Sequence, residues 1–132
     1  MGPLGLFFGF LGLTVVLLLA AAWTGHHHKR RAHVLSVILA VAGLGAAIYY
    51  ALKLGQLYDL EAAGWITTFH LNLARVTTAA FLIPIVLGVL TWRRMSWRRL
   101  HGRTGLIVIV ATVVTAITGA IMLYLSEPLP VS

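Results

Sequence analysis

Six histidines and one arginine are the residues of this chain whose types could do chemistry. His26, His27, His28 and His33 crowd into TGHHHKRRAH, His101 sits in the later segment WRRLHGRTG, and His70 stands alone in TTFHLNLAR. Neutral imidazole is a common metal ligand, and two imidazoles at one depth on neighbouring helices can clamp a haem iron axially. His33 and His101 are the candidate pair for a haem b or another metal. His26 and His28, beside His33, are candidate ligands for copper or zinc. The competing reading of these five residues is interfacial: wet side chains bound to lipid phosphate. His70 has two readings of equal standing, a cofactor ligand or a ring hydrogen-bonded across the structure to a threonine or tyrosine.

Arg75 is the costliest residue. It stands ten positions after Trp65 in an apolar stretch, about 15 Å along a helix. A charge at that depth costs a few kcal/mol unless something pairs with it. The three acids, Asp59, Glu61 and Glu127, all lie outside the apolar stretches. A haem propionate, a quinone or another subunit's carboxylate would supply the missing partner, and Asn72 three residues earlier can share the load. Otherwise the side chain snorkels to water or internal carbonyls. The chain has no cysteine. That excludes disulfides, thiolate metal sites and a thiol nucleophile, and no nucleophile–base–acid set points to a hydrolase.

The elements that must position these residues are four apolar stretches, about Leu4–Trp23, Val34–Leu52, Trp65–Trp92 and Thr104–Leu125. Each reaches or nearly reaches the roughly 20 residues that cross a 30 Å hydrocarbon core. Hydrophobic residues are 60% of the 132 and charged residues 10%, which a soluble domain of this size does not show. The reading is an all-α membrane protein, one integral domain over residues 1–132, folded as an up-down bundle of four transmembrane helices. The first stretch has no Lys or Arg before residue 29. It reads as a retained helix and not a secretory signal.

The segment from Thr24 to His33 carries three of the ten Lys and Arg residues and the segment from Thr91 to Arg103 five, eight in all. The segment between the middle stretches carries Lys53, Asp59 and Glu61. The positive-inside rule then puts the two basic segments in the cytoplasm and both termini on the other side, in a bacterial cytoplasmic membrane. Tyr49, Tyr50, Tyr58 and Trp65 form an outer aromatic belt and Trp23, Trp92 and Trp97 an inner one. The net charge of +7 belongs to these flanks and does not suggest nucleic acid. Basic loops also attract anionic lipid or dock a cytoplasmic partner. Small residues recur at helical spacing: Gly5, Gly9 and Gly12; Ser36, Ala40, Gly43 and Ala47; Gly105, Thr112, Thr115, Ala116 and Gly119. Such stripes let helices approach closely in lipid. Pro84 removes a backbone donor and is expected to kink the third helix.

Several short motifs carry a resemblance. His28-Lys29-Arg30 with His33 entering the second helix, Phe69-His70-Leu71-Asn72-Leu73-Ala74 before Ile83-Pro84, His101-Gly102-Arg103, and Thr118-Gly119 before Tyr124 together resemble a family of small, uncharacterised four-helix bacterial membrane proteins. The genes of that family often lie near those of respiratory oxidases. The resemblance covers residues 25–125, and the last helix lacks that family's internal tryptophan. The second half is also loosely similar to ferric-reductase-type membrane cytochromes b, where histidines on alternate, parallel helices hold haem. That implies at most the pair His33 and His101 here.

Two functional readings follow. One is a redox-linked protein of a respiratory or photosynthetic electron-transfer system. It would bind haem b or a metal at the inner face, or a quinone near Arg75. The other is a non-catalytic accessory or assembly subunit packed against a larger membrane complex. In either, independent enzymatic activity is not expected. A channel or transporter is disfavoured because no acid lies inside a span.

Overall fold

In the computed structural model, described here over residues 1–130, almost the whole chain is helical. The helices are α1 Pro3–His26, α2 Arg30–Leu57, α3 Trp65–Ala80, α4 Leu82–Arg93 and α5 Arg98–Leu125. A helix fits these segments because hydrocarbon offers no partner for backbone N–H and C=O groups, and a helix satisfies them internally. Four helical runs are long and apolar enough to cross a membrane: α1, α2, α3 with α4, and α5 with the turn before it, of 24, 28, 29 and 31 residues.

Two of the four runs begin about a turn or more before their apolar stretches. α2 begins at Arg30 and α5 at Arg98. Arginine is a good helix former, so the helix outlasts the hydrophobic pattern by about a turn. His33 and His101 are therefore each the fourth residue of a helix, at the same register in α2 and α5.

The third run breaks where Pro84 requires. Pro84 has no N–H to give the Ala80 carbonyl, and its ring crowds that carbonyl. The α-helical pattern lapses at Phe81, between α3 and α4. The Phe81 N–H is shared between the carbonyls of Thr77 and Thr78 at 3.2 and 3.3 Å. The Phe81 side chain fills the break. With Leu18 of α1, Ala40 of α2 and Val108 of α5 it forms the buried cluster in which all four runs meet.

α1 and α2 form a tight hairpin through His27–Lys29, with His28 in the left-handed region at φ 59°. Thr14, Ala40 and Ala47 between them are all but sealed, and Gly43 is buried. A Cβ on Gly43 would stand 2.8 Å from Thr14 Oγ1, so this close approach depends on the missing side chain. The small stripe of α2 is thus an interface, and so is that of α5, where Thr112 and Gly119 are buried. The stripe of α1 is not: Gly5, Gly9 and Gly12 face outward. α1 buries Phe7, Thr14, Leu18 and Ala21 instead.

α5 packs on α1, α3 and α4, whereas α2 and α3 barely touch. The two basic turns share one end, where Arg98 Nη2 donates to His28 Nε2 at 3.1 Å and the Arg30 guanidinium lies 4.8 Å from the centre of the Trp92 ring. At the opposite end two short strands pair antiparallel, β1 Tyr58–Asp59 and β2 Glu127–Pro128, and the Leu129 N–H donates to the Leu57 carbonyl at 2.9 Å. The tail after α5 is thereby tied to the α2–α3 segment.

Gly43 and Gly45 should respond in opposite ways to alanine. Nothing lies within 4 Å of a Cβ at Gly45, so Gly45→Ala is expected to raise stability by up to about 1 kcal/mol through helix propensity. Gly43→Ala is expected to lower it by about 1–3 kcal/mol, the usual cost of overpacking. Reversible unfolding of each variant in mixed micelles is the check; equal effects at the two sites would contradict the α1–α2 packing.

Candidate functional site

The shared end of α2 and α5 brings together the two histidines placed at one depth. The His33 and His101 rings have centres 5.8 Å apart and planes at 88°. Each is held by its Nδ1. His33 Nδ1 lies 2.7 Å from the Ala21 carbonyl of α1, and His101 Nδ1 lies 2.8 Å from the Pro84 carbonyl of α4. A carbonyl only accepts, so each Nδ1 carries the proton and each Nε2 is left as a bare lone pair. Neither Nε2 has a hydrogen-bond partner among the described residues, and neither is sealed from its surroundings.

Both rings lie tight against a glycine on the facing element. A Cβ at Gly25 would stand 3.0 Å from His33 Nδ1, and one at Gly88 would stand 3.1 Å from the His101 ring. The rings are half-buried and fixed at two points each: a carbonyl in front and a bare backbone beside. The cationic side chains of Lys29, Arg30 and Arg98 lie at this same end, over Trp23, over Trp92 and on His28 respectively.

The set of His26, His28 and His33 does not assemble. Among the described residues no three His, Asp or Glu side chains stand where they could hold one metal ion. The reason is local. His28 Nε2 accepts from Arg98, which is always protonated. His27 Nδ1 hydrogen-bonds the Trp23 carbonyl at 2.8 Å, and its ring lies over that indole at 4.4 Å. His26 is exposed and meets only the edge of His27. These three belong to the turn.

His70 lies on α3, towards the end opposite the His33–His101 pair. Its Nδ1 stands 3.0 Å from Thr118 Oγ1 on α5. Thr118 Oγ1 already donates to the Thr115 carbonyl at 3.0 Å, so it accepts here and His70 donates. The cross-bundle bond to a threonine is therefore present. The ring again rests on a glycine, since a Cβ at Gly119 would come within 2.8 Å of it. Thr77 of α3 and Thr115 of α5 add a second bond at 3.2 Å. His70 and both of these threonines line a cavity of about 110 Å³ between the runs.

Arg75 is exposed on α3, as are Thr68 and Asn72 on the same side of the helix. Among the described residues it makes no hydrogen bond to Asn72 and no ion pair. The three acids lie away from it: Asp59 Oδ1 accepts the Glu61 N–H at 3.0 Å beyond the end of α2, and Glu127 sits in β2 after α5.

Sequence reasoning placed the histidines but not what holds them. Gly119 stands in the small-residue stripe of the last helix, but Gly25, Gly88 and the carbonyls of Ala21 and Pro84 carry no signal in a single sequence, because each acts through the rotation of a neighbouring helix.

The geometry fixes a tautomer. His33, His70 and His101 should all be protonated at Nδ1, and long-range ¹⁵N–¹H spectra of histidine-labelled protein in micelles would show it. Protonation at Nε2 in any of the three would contradict the corresponding hydrogen bond. Set beside known proteins, the chain matches no family model, no curated protein and no solved structure.

Proposed function

We propose that this is a multi-pass membrane protein whose His33 and His101 hold one iron porphyrin, or another single metal ion, for electron transfer in a respiratory or photosynthetic chain. The observation that carries the reading is the pair itself. The ring centres stand 5.8 Å apart, close enough that His33 and His101 would both hold a single metal ion through imidazole bonds of about 2.0–2.1 Å. An edge-to-face packing pair can show that spacing too. What favours a metal is the Nδ1 hydrogen bonding. An Nδ1–H given to a backbone carbonyl fixes ring and tautomer and raises the basicity of the other nitrogen, as around metal-bound histidines.

The donor set therefore fits a bis-histidine metal site. A bound haem would supply reversible one-electron chemistry. The chain's own residues orient the two imidazoles, keep their Nε2 lone pairs free and gather cations at the same end to neutralise propionates. The basic end is taken as cytoplasmic on the positive-inside rule, in a bacterial inner membrane. The resemblance to four-helix proteins encoded near respiratory oxidases agrees with this setting.

The detergent-purified chain, supplied with haemin, is expected to show a sharp Soret band and, on reduction, α and β bands. His33→Ala and His101→Ala should each abolish the spectrum, while His70→Ala should keep it. A featureless spectrum in the wild-type chain would overturn the haem assignment.

Arg75 favours a second reading, an accessory subunit docked on a larger complex. An exposed guanidinium near the middle of a run, without a carboxylate of its own, fits a partner's acid. Arg75→Leu is expected to stabilise the isolated chain by about 2–3 kcal/mol, the insertion cost removed, and to stop it co-purifying with its complex from native membranes. Unchanged behaviour in both tests would leave Arg75 snorkelling and remove this reading.

A further inference from the structure

The cavity beside His70 presents hydrogen-bond acceptors almost alone. It is walled by side chains from all four membrane-spanning runs, most of them apolar, and borders the opening where α2 and α3 barely touch. Its polar lining is His70, Thr77, Thr78, Thr112 and Thr115. Each proton on these groups can be followed. Thr112 Oγ1 donates to the Val108 carbonyl at 2.8 Å, and Thr115 Oγ1 to the Ala111 carbonyl at 2.7 Å. With Thr115 so committed, the 3.2 Å bond between Thr77 and Thr115 takes its proton from Thr77. His70 gives its Nδ1 proton to Thr118. What remains is the His70 Nε2 lone pair and the spare lone pairs of the threonine oxygens. Thr78, exposed at the rim, holds the one hydroxyl proton not given to the protein.

We infer that this cavity is a binding site for a lipid-soluble hydroquinone, entering between α2 and α3, with a ring hydroxyl donated to His70 Nε2. Size and access fit. A dry cavity of about 150 Å³ holds a benzene ring. The 110 Å³ here is smaller, so it takes the hydroxyl-bearing edge of a ring whose far side and substituent lie in the opening. An alkyl tail belongs in lipid, and the opening faces it. Polarity sets the choice of redox form. A hydroxyl donates to His70, whereas a carbonyl of the oxidised quinone at the same place meets acceptors and goes unpaired; only Thr78, at the rim, has a proton to offer. A buried polar group without a partner forfeits affinity. The site thus holds the reduced ring in preference to the oxidised one by about tenfold or more. The inference needs no metal at His33 and His101, so it stands or falls separately from the haem assignment.

The test uses metal-free, ¹⁵N-histidine-labelled protein in phosphatidylcholine–phosphatidylglycerol nanodiscs. It is titrated with hexylhydroquinone, hexylbenzoquinone and the dimethyl ether of the hydroquinone. The hydroquinone is expected to shift the His70 Nε2 resonance saturably. The quinone should need at least about ten times the mole fraction, and the ether should leave the resonance unmoved. Ala116→Phe, which fills the cavity from α5, should abolish the shift while helicity is kept. Ala74→Leu fills it from α3 and serves if the first variant misfolds. Equal binding of quinone and hydroquinone would overturn the inference. So would a shift that rises without saturation, or one that survives both filled variants.

Discussion

Hydrocarbon supplies no hydrogen bonds, and the rest of this structure is an answer to that fact. Every backbone group in a membrane-spanning run has to be satisfied inside the protein, which commits the chain to helices before any side chain is considered. Polar side chains face the same constraint. Thr14, Thr91, Thr112 and Thr115 each return their proton to the carbonyl four residues back. The two threonines that reach across the bundle do so only as members of ordered chains, Thr77 to Thr115 and His70 to Thr118. Among the described residues no buried side-chain nitrogen or oxygen is left without a partner. In such a setting the lone pairs still open are informative, because everything else has been closed.

Pro84 shows how one residue serves fold and site together. By withholding an amide it interrupts the third run at Phe81, and Phe81 becomes the side chain on which all four runs converge. The Pro84 carbonyl in turn accepts the His101 Nδ1 proton. The break and the anchoring of a candidate ligand are thus three residues apart, so a change at this position would disturb packing and imidazole orientation at once.

Hydropathy made the four runs legible, and short connections made their antiparallel order legible. From these came the common depth of His33 and His101, since α2 and α5 must run the same way. That the two rings would meet was not legible, because helix rotation is decided by which small residues face which neighbours. The α2 and α5 stripes predicted that correctly and the α1 stripe did not: Gly5, Gly9 and Gly12 face outward while Thr14 and Leu18 pack. The starts of α2 and α5 were set too late because arginines at Arg30 and Arg98 end a hydrophobic pattern without ending a helix. His26, His28 and His33 are near neighbours in the sequence, and the turn gives them different partners: His28 bonds Arg98 from a left-handed backbone, and His33 bonds the Ala21 carbonyl. The pairing of β1 with β2 left no trace, being two residues long on each side.

The three half-buried histidines share a construction that the sequence hides in plain composition. Each ring gives Nδ1–H to an oxygen and lies against a glycine of another element: His33 on Gly25, His101 on Gly88, His70 on Gly119. A methyl group would fall 2.8 Å from a ring atom at Gly119, closer than side chains tolerate, and 3.0 and 3.1 Å away at Gly25 and Gly88, where the ring would have to give by a few tenths of an ångström. Glycine weakens a helix interior by roughly 1 kcal/mol relative to alanine, so Gly88 in α4 and Gly119 in α5 are a standing cost, while Gly25 stands one residue from the end of α1. A bundle that needed only packing would fill these places with alanine against leucine and lose nothing. The cost makes sense if the rings themselves must be inside and must be oriented, with one nitrogen tied and the other open.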